Sequence, residues 1–152
     1  MLKRKPFPLQ WPTERPRTRL DEQETAKFRV TLSEAIEDLL YELRQMDAAS
    51  VVITSDLPTR TDGLPYSNAR CDDPGIAVWC VVDGRELVFA CDHWDRPAAN
   101  LRAVGKTIEA LRGIRRWAST SMVSQAFAGF AALPTPEPAD DLADEPRLAN
   151  AN

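Results

Sequence analysis

"IAVWCVVDGRELVFAC", residues 76–91, is the stretch that decides the fold. Seven apolar residues lead into Asp83-Gly84, and a second apolar segment follows at once. An Asp-Gly pair between two such segments is the strongest short-range hairpin signal, because both central residues of a type I′ turn need positive φ. The two segments are therefore expected to pair antiparallel. Period-two alternation puts Cys80 on the same side as Ile76, Val78 and Val82, which makes it a core residue.

Working outward, "SVVITS" at 50–55 is short and β-branched and reads as a third strand. Between it and the hairpin, Pro58, Gly63 and Pro65 interrupt any regular structure across 56–74. Upstream, Leu32, Ala35, Ile36, Leu39, Leu40, Leu43 and Met46 recur at spacings of three and four, and Thr31 with Glu34 forms a capping-box pattern at their start. Downstream, "DRPAANLRAVGKTIEALRGIRRW" opens with Asp95 as the expected N-cap and Pro97 in the first turn, and carries the stripe Leu101, Val104, Ile108 and Leu111. A shorter helix is expected over Ser121–Ala131, presenting Met122, Val123, Ala126, Phe127 and Phe130. The order α-β-β-β-α-α implies an α+β two-layer sandwich, a small antiparallel three-stranded sheet with helices on one face.

The chain has 152 residues, 43% of them apolar, which suits one core. Its prolines crowd both ends, and its charge is unevenly spread. Residues 1–20 carry six basic side chains against one acidic, residues 21–133 twelve against seventeen, and residues 134–152 one against five. The expected organisation is an extended Pro-rich basic arm over 1–27, a single α+β domain over 28–133 and a disordered acidic tail over 134–152. No apolar run reaches the roughly 20 residues needed to span a bilayer, and no signal peptide is visible, so a cytoplasmic location is expected. Three cysteines without secretory context read as reduced thiols.

The chain resembles a known family in "FPLQWPTERPRT", which matches a "PLxWPxxxPRT" opening, and onward through "VVITSDLPTRTDGLPYSNAR", "DDPGIAVWCVVDG", "ACDHWDRPAANLRAVGKTIEALRGIRRW" and "MVSQAFAGFAALP". Members of that family are encoded by proteobacteria, their phages and mobile elements, and no activity is attached to them. Many carry a J domain, the module that engages Hsp70 chaperones, after the segment matching "GFAALP" at 129–134. Here "TPEPADDLADEPRLANAN" follows instead, without a His-Pro-Asp tripeptide, so the Hsp70 role is not carried over. The family usually shows Gly-Trp at Glu14-Arg15 and Asp-Arg-Trp at Asp92-His93-Trp94. The resemblance implies an accessory protein of phage or mobile-element origin.

The residues themselves contain no familiar catalytic constellation. Cys71, Cys80, Cys91 and His93 are zinc-type ligands but lack the closely spaced pairs of structural zinc sites. His93, the one histidine, has Asp92 and Asp95 nearby, yet no serine lies in a nucleophile-elbow setting, and no glycine-rich phosphate loop occurs. No cofactor and no metal are expected, and a non-enzymatic role is.

Two binding readings remain. In the first, Arg60, Asp62, Tyr66, Arg70 and Asp73, with Asp72, make residues 56–74 a recognition surface for a host or mobile-element protein, since arginine and tyrosine suit interface hot spots. Inhibition of a host defence complex and a chaperone-type adaptor role both fit it. The same residues can equally pair among themselves to hold an irregular segment. In the second, Arg15, Arg17 and Arg19 join Arg102, Lys106, Arg112, Arg115 and Arg116 to bind nucleic acid, provided arm and helix converge. Glu109 is expected to pair with Arg112. The element order resembles the double-stranded RNA-binding domain, but the basic cluster which that domain places at the start of its last helix is replaced by "DRPAAN". Trp11 is expected to pack on the domain or dock a partner, and Trp79, Trp94 and Trp117 to lie in or beside the core.

Overall fold

The computed structural model describes residues 4–66 and 71–133. A short 3₁₀ turn at Leu20–Glu22 precedes helix α1 (Leu32–Gln45), strands β1 (Ala49–Ser55), β2 (Ile76–Val82) and β3 (Arg85–Cys91), and helices α2 (Pro97–Trp117) and α3 (Thr120–Ala128). The sheet is antiparallel throughout, in the order β1-β2-β3. This is the α+β architecture implied by the hairpin and the amphipathic helices.

Local chemistry accounts for most boundaries. Asp83 and Gly84 have φ of 53° and 76°, the positive pair required by a type I′ turn, and β2 and β3 pair in unbroken register from Ile76↔Cys91 to Val82↔Arg85. At α1 both halves of the capping box form, with Glu34 N–H donating to Thr31 Oγ1 at 3.1 Å and Thr31 N–H donating to Glu34 Oε1 at 2.9 Å. The N-cap of α2 is Arg96 rather than Asp95, and no side chain caps it. Pro97, lacking an N–H, removes one of the donors a cap would have served. Asp95 is engaged elsewhere, accepting from Thr25 Oγ1 at 2.6 Å.

Strand β2 is apolar along its whole length because both faces are covered. On one side, Ile76, Val78, Cys80 and Val82 meet α1 and α2 through Leu39, Leu43, Leu101, Val104 and Ile108. On the other, Ala77 and Trp79 join Val88 from β3 beneath Leu9 and Trp11 of the N-terminal arm. The arm is thus a strap across the sheet face that the helices leave open. Trp79 Nε1–H donates to Gln10 O at 3.0 Å, the Arg4 guanidinium stacks 3.3 Å from the Trp79 ring centroid, and Ser55 N–H donates to Pro6 O at 3.0 Å. The segment 134–152 lies outside the described residues.

The end of the chain departs from expectation in three places. Helix α3 stops at Ala128, and the next residues turn back along the open edge of β3: Val88 N–H donates to Phe130 O at 2.9 Å and Ala132 N–H to Glu86 O at 2.9 Å. Trp117 is 82% exposed, because α2 runs on past Leu111, the last buried residue of its stripe. Met122 is 58% exposed, and no residue of α3 is fully buried.

All three cysteines are free thiols. Burial pushes the Cys80 thiol up to about 12, so it stays protonated at neutral pH. Treatment of the native protein with an aromatic disulfide reagent at pH 8 is expected to leave Cys80 unmodified until denaturant is added. Rapid native labelling at Cys80 would contradict the packing described.

Candidate functional site

The loop that leaves β1 is built on its own hydrogen bonds. Leu57, 2% exposed, anchors its start in the core, and Leu57 N–H donates to Ser55 Oγ at 3.1 Å. Beyond it the chain folds into a miniature hairpin. Tyr66 N–H donates to Pro58 O at 3.0 Å, Arg60 N–H to Leu64 O at 2.7 Å, and Gly63, at φ 85°, turns the tip with its N–H on Arg60 O at 2.9 Å. Arg60 and Asp62 form a bidentate ion pair, and Asp62 Oδ1 also accepts from Leu64 N–H at 3.1 Å. The Arg60 bond, then the Leu64 N–H, holds the Asp62 carboxyl below its ordinary range. Tyr66 projects from this hairpin, 47% exposed. Arg70 lies outside the described residues.

The returning limb is stitched to the arm and to the start of α2. Arg17 reaches across from the arm, its Nη2 2.6 Å from Asp73 Oδ1 and its Nε 2.8 Å from Asp92 Oδ2, while its guanidinium lies 4.5 Å from the Trp11 ring centroid. Burial raises the Asp73 pKa, but the Arg17 bond and the Gly75 N–H outweigh it and hold the carboxyl below its ordinary value. Asp92 is 5% exposed and also accepts from Thr18 N–H at 2.8 Å. A Cβ on Gly75 would come 3.0 Å from Arg17 Nη2 and 3.1 Å from Asp73 Oδ1, so a larger residue there requires these side chains to give by a few tenths of an ångström.

Beneath it sits Asn100, fully buried in the first turns of α2. Its Nδ2 donates to Pro74 O at 2.8 Å and Trp94 O at 3.0 Å, and its Oδ1 accepts from Trp94 N–H at 2.9 Å and Cys91 Sγ at 3.3 Å. One amide side chain therefore fixes the end of the loop, the exit of β3 and the entry of α2 together. It falls on the Val104 and Ile108 stripe at spacings of four and eight, and an amide on an apolar stripe is the signal from which it could have been read.

His93 is half exposed and faces neither Asp92 nor Asp95. Its Nε2 lies 3.5 Å from Glu24 Oε2 and its ring meets Trp94 edge-on, while Asp92 turns to Arg17 and Asp95 to Thr25. Among the described residues, no group of three or more acidic, histidine or cysteine side chains is placed to hold a metal ion. Cys71 and Cys91 are part-buried, and burial raises both thiols.

The cations of the nucleic-acid reading are not brought together. The arm lies on the Trp79 face of the sheet and α2 on the opposite face. Arg15 donates to Val88 O and Gly129 O, Arg17 is held by two aspartates, and Arg19 pairs with Asp21. On α2, Lys106 pairs with Glu109 and Arg112 with Glu42 of α1, so the expected Glu109–Arg112 pair does not form. Glu42, one helix away, is the nearer acid. Arg102 lies 5.8 Å from the Phe28 ring centroid, and Arg116 is exposed with no carboxylate within reach among the described residues.

The chain matches no family model, no curated protein and no solved structure. Among the described residues, no helix is long and apolar enough to cross a membrane.

Proposed function

We propose that the protein is a non-enzymatic interaction module that docks on another protein through residues 56–66 and 71–75. The observation that carries this reading is the pairing of exposure with preorganisation. Tyr66 stands out from a hairpin closed by its own hydrogen bonds, beside the Arg60–Asp62 pair, on a base locked by Arg17 and Asn100. A side chain whose backbone is already ordered loses less entropy on binding, and tyrosine and arginine are the residues on which interface energy concentrates. The resemblance to proteins encoded by phages and mobile elements supports a role toward a host or element protein, as an inhibitor of a defence complex or as an adaptor.

The test is affinity capture from a proteobacterial lysate at moderate salt, with and without nuclease. The expected result is a protein retained after nuclease treatment. Loss of all captured material on nuclease treatment, with binding that weakens steeply as salt rises, would transfer the assignment to nucleic acid.

A further inference from the structure

At the opposite end of the sheet, where the β2–β3 turn lies, the hairpin, α3 and Arg115 of α2 line a small open cleft of about 160 Å³. Val82 and Leu87 form its buried floor, Val123 and Phe127 of α3 its half-buried wall, and Arg85 and Arg115 stand on its rim with Asp83. Arg115 is held over the cleft, donating to Met46 O at 3.4 Å with its guanidinium 5.8 Å from the Phe127 ring centroid. A second groove, lined by Gln45, Arg112, Arg115 and Arg116, continues from it around the end of α2. Arg85, Arg115 and Arg116 have no carboxylate within 4.0 Å among the described residues, and only Arg112 is neutralised, by Glu42.

Arginines in the last turn of a helix complement its dipole, which accounts for Arg115 and Arg116 being there. The dipole does not account for the exposed Trp117 next to them in sequence, for exposed Met122, or for Arg85 on the strand across the cleft. An apolar floor under arginines that have no carboxylate partner among the described residues is interface composition. The volume is well below the roughly 300–1,000 Å³ of small-ligand sites and suits a single inserted side chain.

We propose that this cleft is a second docking surface, for an acidic peptide segment of a partner protein that inserts one apolar side chain over Leu87 and Phe127 while its carboxylates meet Arg85, Arg115 and Arg116. Charge complementarity selects the acidic character and the cleft size selects the single anchor. A peptide is favoured over single-stranded nucleic acid because the buried floor, Val82 and Leu87, is aliphatic and a single aromatic, Phe127, stands in the wall, whereas single-strand binding rests on successive bases stacked on aromatic side chains.

The test uses the full chain and three labelled probes: a short Glu/Asp peptide with a central leucine, the same peptide with serine in its place, and an oligothymidylate of equal charge. The leucine peptide is expected to bind, the serine peptide at least about fivefold more weakly, and Arg115→Glu to weaken the leucine peptide by about tenfold or more. Because Arg115 also touches Met46 O, Arg116→Glu and Ser124→Trp serve as second variants. The first reverses an exposed charge and the second fills the cleft without removing one; each is expected to weaken binding with an unchanged melting midpoint. Equal binding of the two peptides, tighter binding of the oligothymidylate, or indifference to both Arg116→Glu and Ser124→Trp would overturn the proposal. Since the cleft and the 56–66 hairpin lie at opposite ends of the sheet, either can fail without the other.

Discussion

Replacing Asn100 with alanine is expected to lower the unfolding free energy by about 2–4 kcal/mol, the largest single-residue effect outside the apolar core. The truncation leaves Pro74 O without its partner in a buried setting, and Trp94 O and Trp94 N–H without theirs in a part-buried one. An orphaned buried polar group costs about 1–3 kcal/mol, and a part-buried one that water can reach costs less. Asn100→Asp conserves size but turns carboxylate oxygens toward two carbonyls, so at neutral pH it is expected to be at least as damaging. Urea midpoints at constant m-value measure both variants. A loss below about 1 kcal/mol for Asn100→Ala would mean that the amide is not the hub described here.

Arg17→Ala is the second large effect, expected to be about 2–3 kcal/mol. Removing one partner of a buried ion pair leaves the other charge unpaired, which costs about 3–5 kcal/mol when both are buried. Asp92 is buried here but the Arg17 side chain is 39% exposed, which places the expectation below that range. Arg17→Lys should recover only part of the loss, since an ammonium does not span two carboxylates as a planar guanidinium does. The acid limb gives a separate reading. The folded pKa of Asp73 is held below its ordinary value of 3.8, so its contribution is fully present above that value and is lost as pH falls through the depressed folded value. The difference between wild type and Arg17→Ala should therefore hold from neutrality to about pH 4 and shrink below it. No difference at neutral pH, or one undiminished at pH 2, would contradict the junction.

The elements were legible where a local rule dominates. The Asp83-Gly84 turn, the Thr31–Glu34 capping box and the apolar stripes of α1 and α2 each act within a few residues, and each forms as read. The hairpin between Pro58 and Tyr66 was half legible. Its turn formers marked an irregular segment and its charges a pairing that holds it, and Arg60 does pair with Asp62; the backbone path of the hairpin is what composition does not specify.

What stayed hidden is long-range. Arg17 belongs to a basic stretch whose local neighbours suggest a solvated arm, yet its partners are 56 and 75 residues away. Trp11 packs on the domain, one of the two places expected for it, but that the strap from Leu9 to Trp11 covers the second face of the fully apolar β2 follows only from the assembled sheet. Trp117 reads as core-edge by residue type, and its exposure follows from how far α2 outruns the sheet, a length comparison made only once both elements are in place. The same geometry separates the arm arginines from those of α2, so the two clusters that the nucleic-acid reading joins end on opposite faces.

The most direct measurement is the affinity of the captured partner for wild type and for Tyr66→Ala, alongside the melting midpoint of each. Tyr66 is half exposed, so its truncation should leave the midpoint unchanged, while loss of a hot-spot aromatic weakens binding by about tenfold or more. Weakened binding with an intact fold is the predicted result. Unchanged affinity for a partner that survives nuclease treatment would contradict docking through the 56–66 hairpin.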